Sequence, residues 1–119
     1  MNQEELKKRT KNFTIAIIRF VKNLPNGRDA WYIGDQLYRA GASVGANYRA
    51  ACRSKTKAMF IHKLGVVEEE ADECCFWLDI CLELGIGDKN EAEKLFKEAS
   101  ELTSIFTSAN KTLSNNLKK

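Results

Sequence analysis

Residues 36–53, QLYRAGASVGANYRAACR, decide how this chain folds. Apolar and small side chains recur there at three- and four-residue steps, the period of one helix face. The stripe runs through Ile33, Leu37, Ala40, Val44, Asn47 or Tyr48, and Ala51. Gly41 and Gly45 fall inside this helix, where each costs about 1 kcal/mol relative to alanine. Such a cost is expected where another backbone approaches closely, here along Ala40, Gly41, Ala42, Gly45 and Ala46. The helix is therefore expected to pack on two sides, against its own core and against a neighbour.

Working outward, three more helices are legible. The first spans about 3–23, with Asn2 and Glu5 in a pairing related to a capping box and an apolar face of Leu6, Phe13, Ile17, Phe20, Val21 and Leu24. Leu24-Pro25-Asn26-Gly27 is a turn signal, and the second helix follows over about 29–52. Ser54 is expected to cap a third helix over about 55–84, striped by Phe60, Leu64, Val67, Ala71, Cys74, Leu78 and Leu82. Gly85-Ile86-Gly87 ends it. Asp88 with Glu91 opens a fourth over about 89–116, which buries Ala92, Leu95, Ala99, Leu102, Phe106, Ala109 and Leu113; the final Leu117-Lys118-Lys119 is expected to fray. Short connections force neighbours antiparallel, so the fold class is all-α, an up-down-up-down four-helix bundle formed by 1–119 as one domain.

Composition narrows the class of protein. No apolar run approaches the roughly 20 residues of a membrane span, and the N-terminus does not read as a secretory signal. The expected location is the cytoplasm, with no membrane partner. Cys52, Cys74, Cys75 and Cys81 have neither metal-site spacing nor a disulfide geometry within the third helix. They read as small, mostly buried thiols in a reducing compartment.

The central segment also carries a resemblance. Leu24-Pro25, Gln36-Leu37-x-Arg39-Ala40, Ser43-Val44-x-x-Asn47 and later Leu84-Gly85 fall in the order seen in a bacterial four-helix-bundle family. That family is encoded inside intervening sequences of 23S ribosomal RNA genes, and the accessory protein of diversity-generating retroelements looks like a relative. The resemblance implies a ring-like homo-oligomer, most often a pentamer. RNA or DNA, or a protein such as a reverse transcriptase, are the partners it brings into view. Where the family often continues with an acidic residue and glycine, this chain has Ala50-Ala51, so any role of that acid is lost or moved. Gly41, Gly45, Asn47 and Arg39 are assigned to helix or subunit packing. Asn47, on an apolar stripe, needs a hydrogen-bond partner; it either fixes register or sits at a solvated edge, and the resemblance favours register.

Charge is where function shows. The net charge is only +3, yet residues 1–28 carry +5, 29–63 carry +4, 64–87 carry −7 and 88–119 carry +1. Folded up-down-up-down, one end of the bundle collects Lys7, Lys8, Arg9, Lys11, Arg49, Arg53, Lys55, Lys57, Lys63, Lys111, Lys118 and Lys119, opposed by Glu4 and Glu5. The other collects Asp29, Asp35, Asp72, Glu73, Asp79, Glu83, Asp88, Glu91 and Glu93. The third helix sets lysines at its start and acids near its end, against the helix dipole. Two partners fit: a nucleic-acid backbone held by counterion release, or a second copy meeting basic with acidic segments. The same charges also fit a solvated face balanced by neighbouring helices.

The reading that results is a non-enzymatic, homo-oligomeric bundle binding RNA or DNA backbone with weak sequence selectivity, since no base-reading signature is present. Its candidate residues are Arg49, Arg53, Lys55, Lys57 and Lys63, supported by Lys7, Lys8, Arg9 and Lys11. The alternative is a protein-interaction scaffold. Trp31, Tyr32, Tyr38 and Tyr48 are assigned to core or interface packing rather than base stacking. No cofactor or catalytic residue is assigned. His62 is the lone histidine, and Met59 stands where a Glu-x-x-His di-iron pair needs glutamate. A distant alternative is a magnesium-dependent nucleotide pyrophosphatase using Glu69 with Asp72 or Glu73, and Glu98 with Glu101.

Overall fold

The computed structural model describes residues 1–118, and side chains as far as Asn116. It contains four helices: α1 (Gln3–Lys22), α2 (Arg28–Cys52), α3 (Lys57–Leu84) and α4 (Lys89–Lys118). The side chains of Leu117, Lys118 and Lys119, where fraying is expected, lie outside the described residues. Tight connections turn each helix back on the last. α1 packs on α2 and α4, α3 packs on α2 and α4, and the backbones of the diagonal pairs stay apart. The result is a rod of 50 × 23 × 21 Å. Among the described residues no helix is long and apolar enough to cross a membrane.

The helix ends follow local chemistry. Asn2 Oδ1 accepts from the Glu5 amide at 2.8 Å, and Asp88 Oδ1 accepts from the Glu91 amide at 2.9 Å. Both satisfy amides that an α-helix leaves without an internal partner. The expected cap on α3 is corrected. Thr56, not Ser54, accepts from the Met59 amide at 3.1 Å, so α3 begins at Lys57 and Lys55 belongs to the preceding loop. The Ser54 hydroxyl is buried with no hydrogen-bond partner. Gly85 ends α3 in the left-handed region, φ 66°, which glycine adopts without a Cβ penalty.

The core is the sum of the predicted stripes. Phe13, Ile17, Leu37, Val44, Leu64, Val67, Leu78, Leu102 and Phe106 are buried together. The predicted faces sit at different depths, and Leu6, Val21, Leu24, Phe60, Ala109 and Leu113 are only half-buried against the core. Cys81 takes the buried place on α3 expected for Leu82, which is half-buried. Tyr48 takes the α2 core position, packing its ring 5.4 Å from that of Phe106, and Asn47 is only half-buried. Burial, and then the neighbouring Cys52 thiol, push the Tyr48 phenol well above its ordinary pKa. The four cysteines are free, with Cys74 and Cys81 buried. Desolvation raises both thiols, which keeps them protonated and unreactive.

The close approach that Gly41 and Gly45 require comes from α1. A Cβ on Gly41 would lie 2.5 Å from Ile17 Cγ2, and one on Gly45 would lie 2.6 Å from Thr14 Oγ1. Thr14 uses the space chemically. Its hydroxyl donates to the Gly41 carbonyl at 2.6 Å and accepts from the Gly45 amide at 3.1 Å. These are the two groups that a regular α-helix joins directly.

Candidate nucleic-acid interface

The antiparallel order brings the start of α1 beside the end of α2. Lys7, Lys8, Lys11 and Arg49 line one groove there, over a floor that includes Thr14, Ile15, Ala42, Gly45 and Ala46. Glu4 also lines this groove and pairs with Lys7 at 2.9 Å. The α2–α3 junction continues the basic surface around the tip. Arg53 follows α2, Lys55 lies in the loop and Lys57 opens α3, all three exposed. Lys63 is half-buried, between one and two turns into α3. Among the described residues no carboxylate lies within 4.0 Å of the charged groups of Arg49, Arg53, Lys55, Lys57 or Lys63.

Arg9 differs from this set. It faces α4, where its guanidinium donates from Nε to Glu98 at 2.8 Å and from Nη2 to Glu98 at 2.7 Å. A third bond reaches Glu101 at 3.2 Å. This two-pronged carboxylate pairing holds the arginine charged and raises its pKa further, chiefly through the hydrogen bond to Glu98. Arg9 therefore clamps α1 to α4 and is removed from the phosphate-binding candidates. Nothing in the local sequence signals this, because its partners lie 89 and 92 residues away.

The packing candidates divide as well. Gly41 and Gly45 serve the α1–α2 contact within the chain. Asn47 donates to the Ser43 carbonyl one turn back, at 2.9 Å, so within the chain it satisfies itself locally and fixes no interhelical register. Arg39 is exposed, and its charge acts on Glu70 of α3. Burial, then the like charges of Glu73 and Glu69, raise the Glu70 pKa above its ordinary value of 4.5 against the opposing pull of Arg39.

The opposite end of the rod is acidic and aromatic. Trp31 is 71% exposed, Tyr32 53% and Phe76 55%. Tyr32 meets Trp77 edge-on at 6.1 Å, and Trp77 meets Phe76 at 4.9 Å. Glu73 accepts from the Trp77 indole at 3.2 Å. The carboxylates of the magnesium alternative do not converge. Glu98 and Glu101 are turned to Arg9 on α1, and Glu73 is turned to Trp77. Among the described residues no group of three or more histidine, cysteine, aspartate or glutamate side chains is placed to hold a metal ion.

Comparison with known proteins agrees with this architecture. The family model described as 23S rRNA-intervening sequence protein matches residues 2–108. The chain is similar to a crystal structure of a protein with unknown function from the S23 ribosomal protein family of Bacteroides thetaiotaomicron. The two share 28% identity and a TM-score of 0.80, over 89% of this chain and 98% of the other. No curated protein matches the chain.

Proposed function

For a chain that belongs to the 23S rRNA-intervening sequence protein family, we propose a non-enzymatic, homo-oligomeric bundle that binds RNA or DNA backbone through its basic end. The observation that carries this reading is the α2–α3 junction. Arg49, Arg53, Lys55, Lys57 and Lys63 gather there without a carboxylate among the described residues within 4.0 Å. Charges left without a partner at one end of a rod repel one another, and a polyanion relieves that repulsion while releasing its counterions. Lys7, Lys8 and Lys11 extend the same surface along the groove beside Arg49. Lysines and arginines at a helix junction grip phosphates without reading base edges, so selectivity for sequence is weak. In a ring with parallel axes the basic ends share one face, and several weak sites act as one multivalent surface.

The test is fluorescence anisotropy with a labelled structured RNA across a salt series, with mass measured by light scattering in the same buffer. Binding that falls steeply with salt, from a species several times the 13.5 kDa monomer, is the expected result. Arg53→Ala is expected to lower the salt slope by about one unit. An oligomer that ignores RNA and DNA at low salt leaves the second reading, a protein-interaction scaffold. The exposed aromatic side chains at the acidic end favour that alternative.

A further inference from the structure

The end of the rod opposite the α2–α3 junction is closed by two connections, residues 23–27 between α1 and α2 and residues 85–88 between α3 and α4. A groove of about 380 Å³ runs there, with Pro25 and Ala30 on the α1–α2 side and Leu84 and Ile86 on the α3–α4 side. Leu84 is the last residue of α3 and is 59% exposed. An apolar side chain left open at the tip, beside further apolar surface, marks a contact point. The charge beside it belongs to α3. α1 ends at the same pole on Arg19 and Lys22, which suit its dipole. α3 has no basic residue in its last turn, and Asp79 and Glu83, both exposed, reinforce its negative end. The Cys81 carbonyl takes the Gly85 and Ile86 amides. Those of Leu82, Glu83 and Leu84 then have no backbone donor among the described residues. Exposed Asp29 and Asp88 flank the same end. Among the described residues no cationic group lies within 4.0 Å of Asp29, Asp79, Glu83 or Asp88. Arg28 also lines the groove, and Lys89 is already paired with Glu93 at 3.9 Å.

We infer that this tip docks a cationic segment of another protein. An apolar side chain of the partner seats in the groove beside Leu84, and its lysines or arginines meet Glu83, Asp79 and the free carbonyls that end α3. Complementary charge selects such a partner and steers its approach, and cations are favoured at a helix C-terminus. A polyanion is repelled from this pole. A bare metal ion finds no converging ligands among the described residues. The groove has the space of a few side chains, which suits an extended segment better than the blunt end of a second rod. The inference does not rest on the backbone-binding reading, because it uses the other end of the 50 Å rod. Lysine- and arginine-rich segments are typical of proteins that bind nucleic acid. A partner of that kind and a nucleic acid held at the basic pole are joined through one rod.

Anisotropy with labelled peptides at low salt, without nucleic acid, tests this. The probes are Lys-Lys-Leu-Leu-Lys-Lys, the same peptide with serine for leucine, and the same peptide with glutamate for lysine. The first is expected to bind, the second about tenfold more weakly, and the third not at all. Glu83→Lys and, separately, Leu84→Ser are expected to weaken the first peptide about tenfold. Both positions are exposed, and circular dichroism checks that each variant stays helical. Glu5→Lys makes the same change of charge at the basic end and is expected to leave affinity within about twofold. A wild type that binds no peptide, or binding that ignores Glu83→Lys and Leu84→Ser, overturns the inference. Equal losses in Glu5→Lys and Glu83→Lys also overturn it, since net charge then explains the binding. Equal affinity for the leucine and serine peptides overturns the groove. Light scattering of the free chain covers the remaining occupant. A mass that climbs with concentration in wild type and stops climbing in Glu83→Lys assigns the tip to the basic end of a second copy, and overturns the partner.

Discussion

The Thr14 hydroxyl bonds both the Gly41 carbonyl and the Gly45 amide, so one side chain of α1 is tied directly to the backbone of α2. This is possible only because neither glycine carries a Cβ. Gly41→Ala is expected to destabilise by about 1–3 kcal/mol through overpacking against Ile17, more than the helix propensity it gains. Gly65→Ala, whose Cβ would meet only the end of Asn110 at 3.3 Å, is expected to be neutral or stabilising, and a urea titration of the two variants checks both. Glu70 offers a pH test. Its pKa is raised in the folded chain by burial and by Glu73 and Glu69. The folded state therefore binds more protons than the unfolded one in the window above pH 4.5, and stability falls as pH rises through it. Glu70→Gln is expected to raise Tm at pH 7, with the gain shrinking as pH approaches 4, measured by thermal melts across that range.

Among the elements, α3 is the one whose start departs from the sequence reading. Ser54 and Thr56 are both good caps by residue type, and the choice between them depends on where the chain leaves the core. The turn after α2 closes through Arg53 and Ser54 amides on the Ala50 and Ala51 carbonyls. That turn buries the Ser54 hydroxyl away from any partner and leaves Thr56 at the helix mouth. Thr56→Ala is expected to cost about 1 kcal/mol. Ser54→Ala is expected to be neutral or stabilising, since it removes a buried hydroxyl that makes no bond. Chemical denaturation of the pair distinguishes the two roles. The opposed charges on α3, with Lys57 at its start and Asp79 and Glu83 near its end, work against its dipole.

At the scale of the whole molecule, antiparallel order converts a charge pattern along the chain into two poles of a 50 Å rod. The pole at the α2–α3 junction is the proposed backbone-binding surface, and the salt slope of Arg53→Ala measures one of its contacts. Arg9→Ala is the control. Because Arg9 is spent on Glu98 and Glu101, the slope is expected to stay near wild type while stability falls by about 1 kcal/mol.

Helical periodicity alone specified the four helices, their antiparallel order and nearly all of the core, because a 3.6-residue stripe has one stable use in a short-looped chain. Asn2 and Asp88 were equally legible, since a cap acts on amides two or three residues away. Charge counts along the chain likewise implied the two poles. Only the tertiary structure decided which face of α2 the glycines serve, that Tyr48 and not Asn47 enters the core, and that Arg9 belongs to Glu98. Those outcomes depend on partners on other helices, chosen by the few ångströms of rotation and depth with which each helix settles against the next. Periodicity carries the direction of a face but not the identity of what it meets.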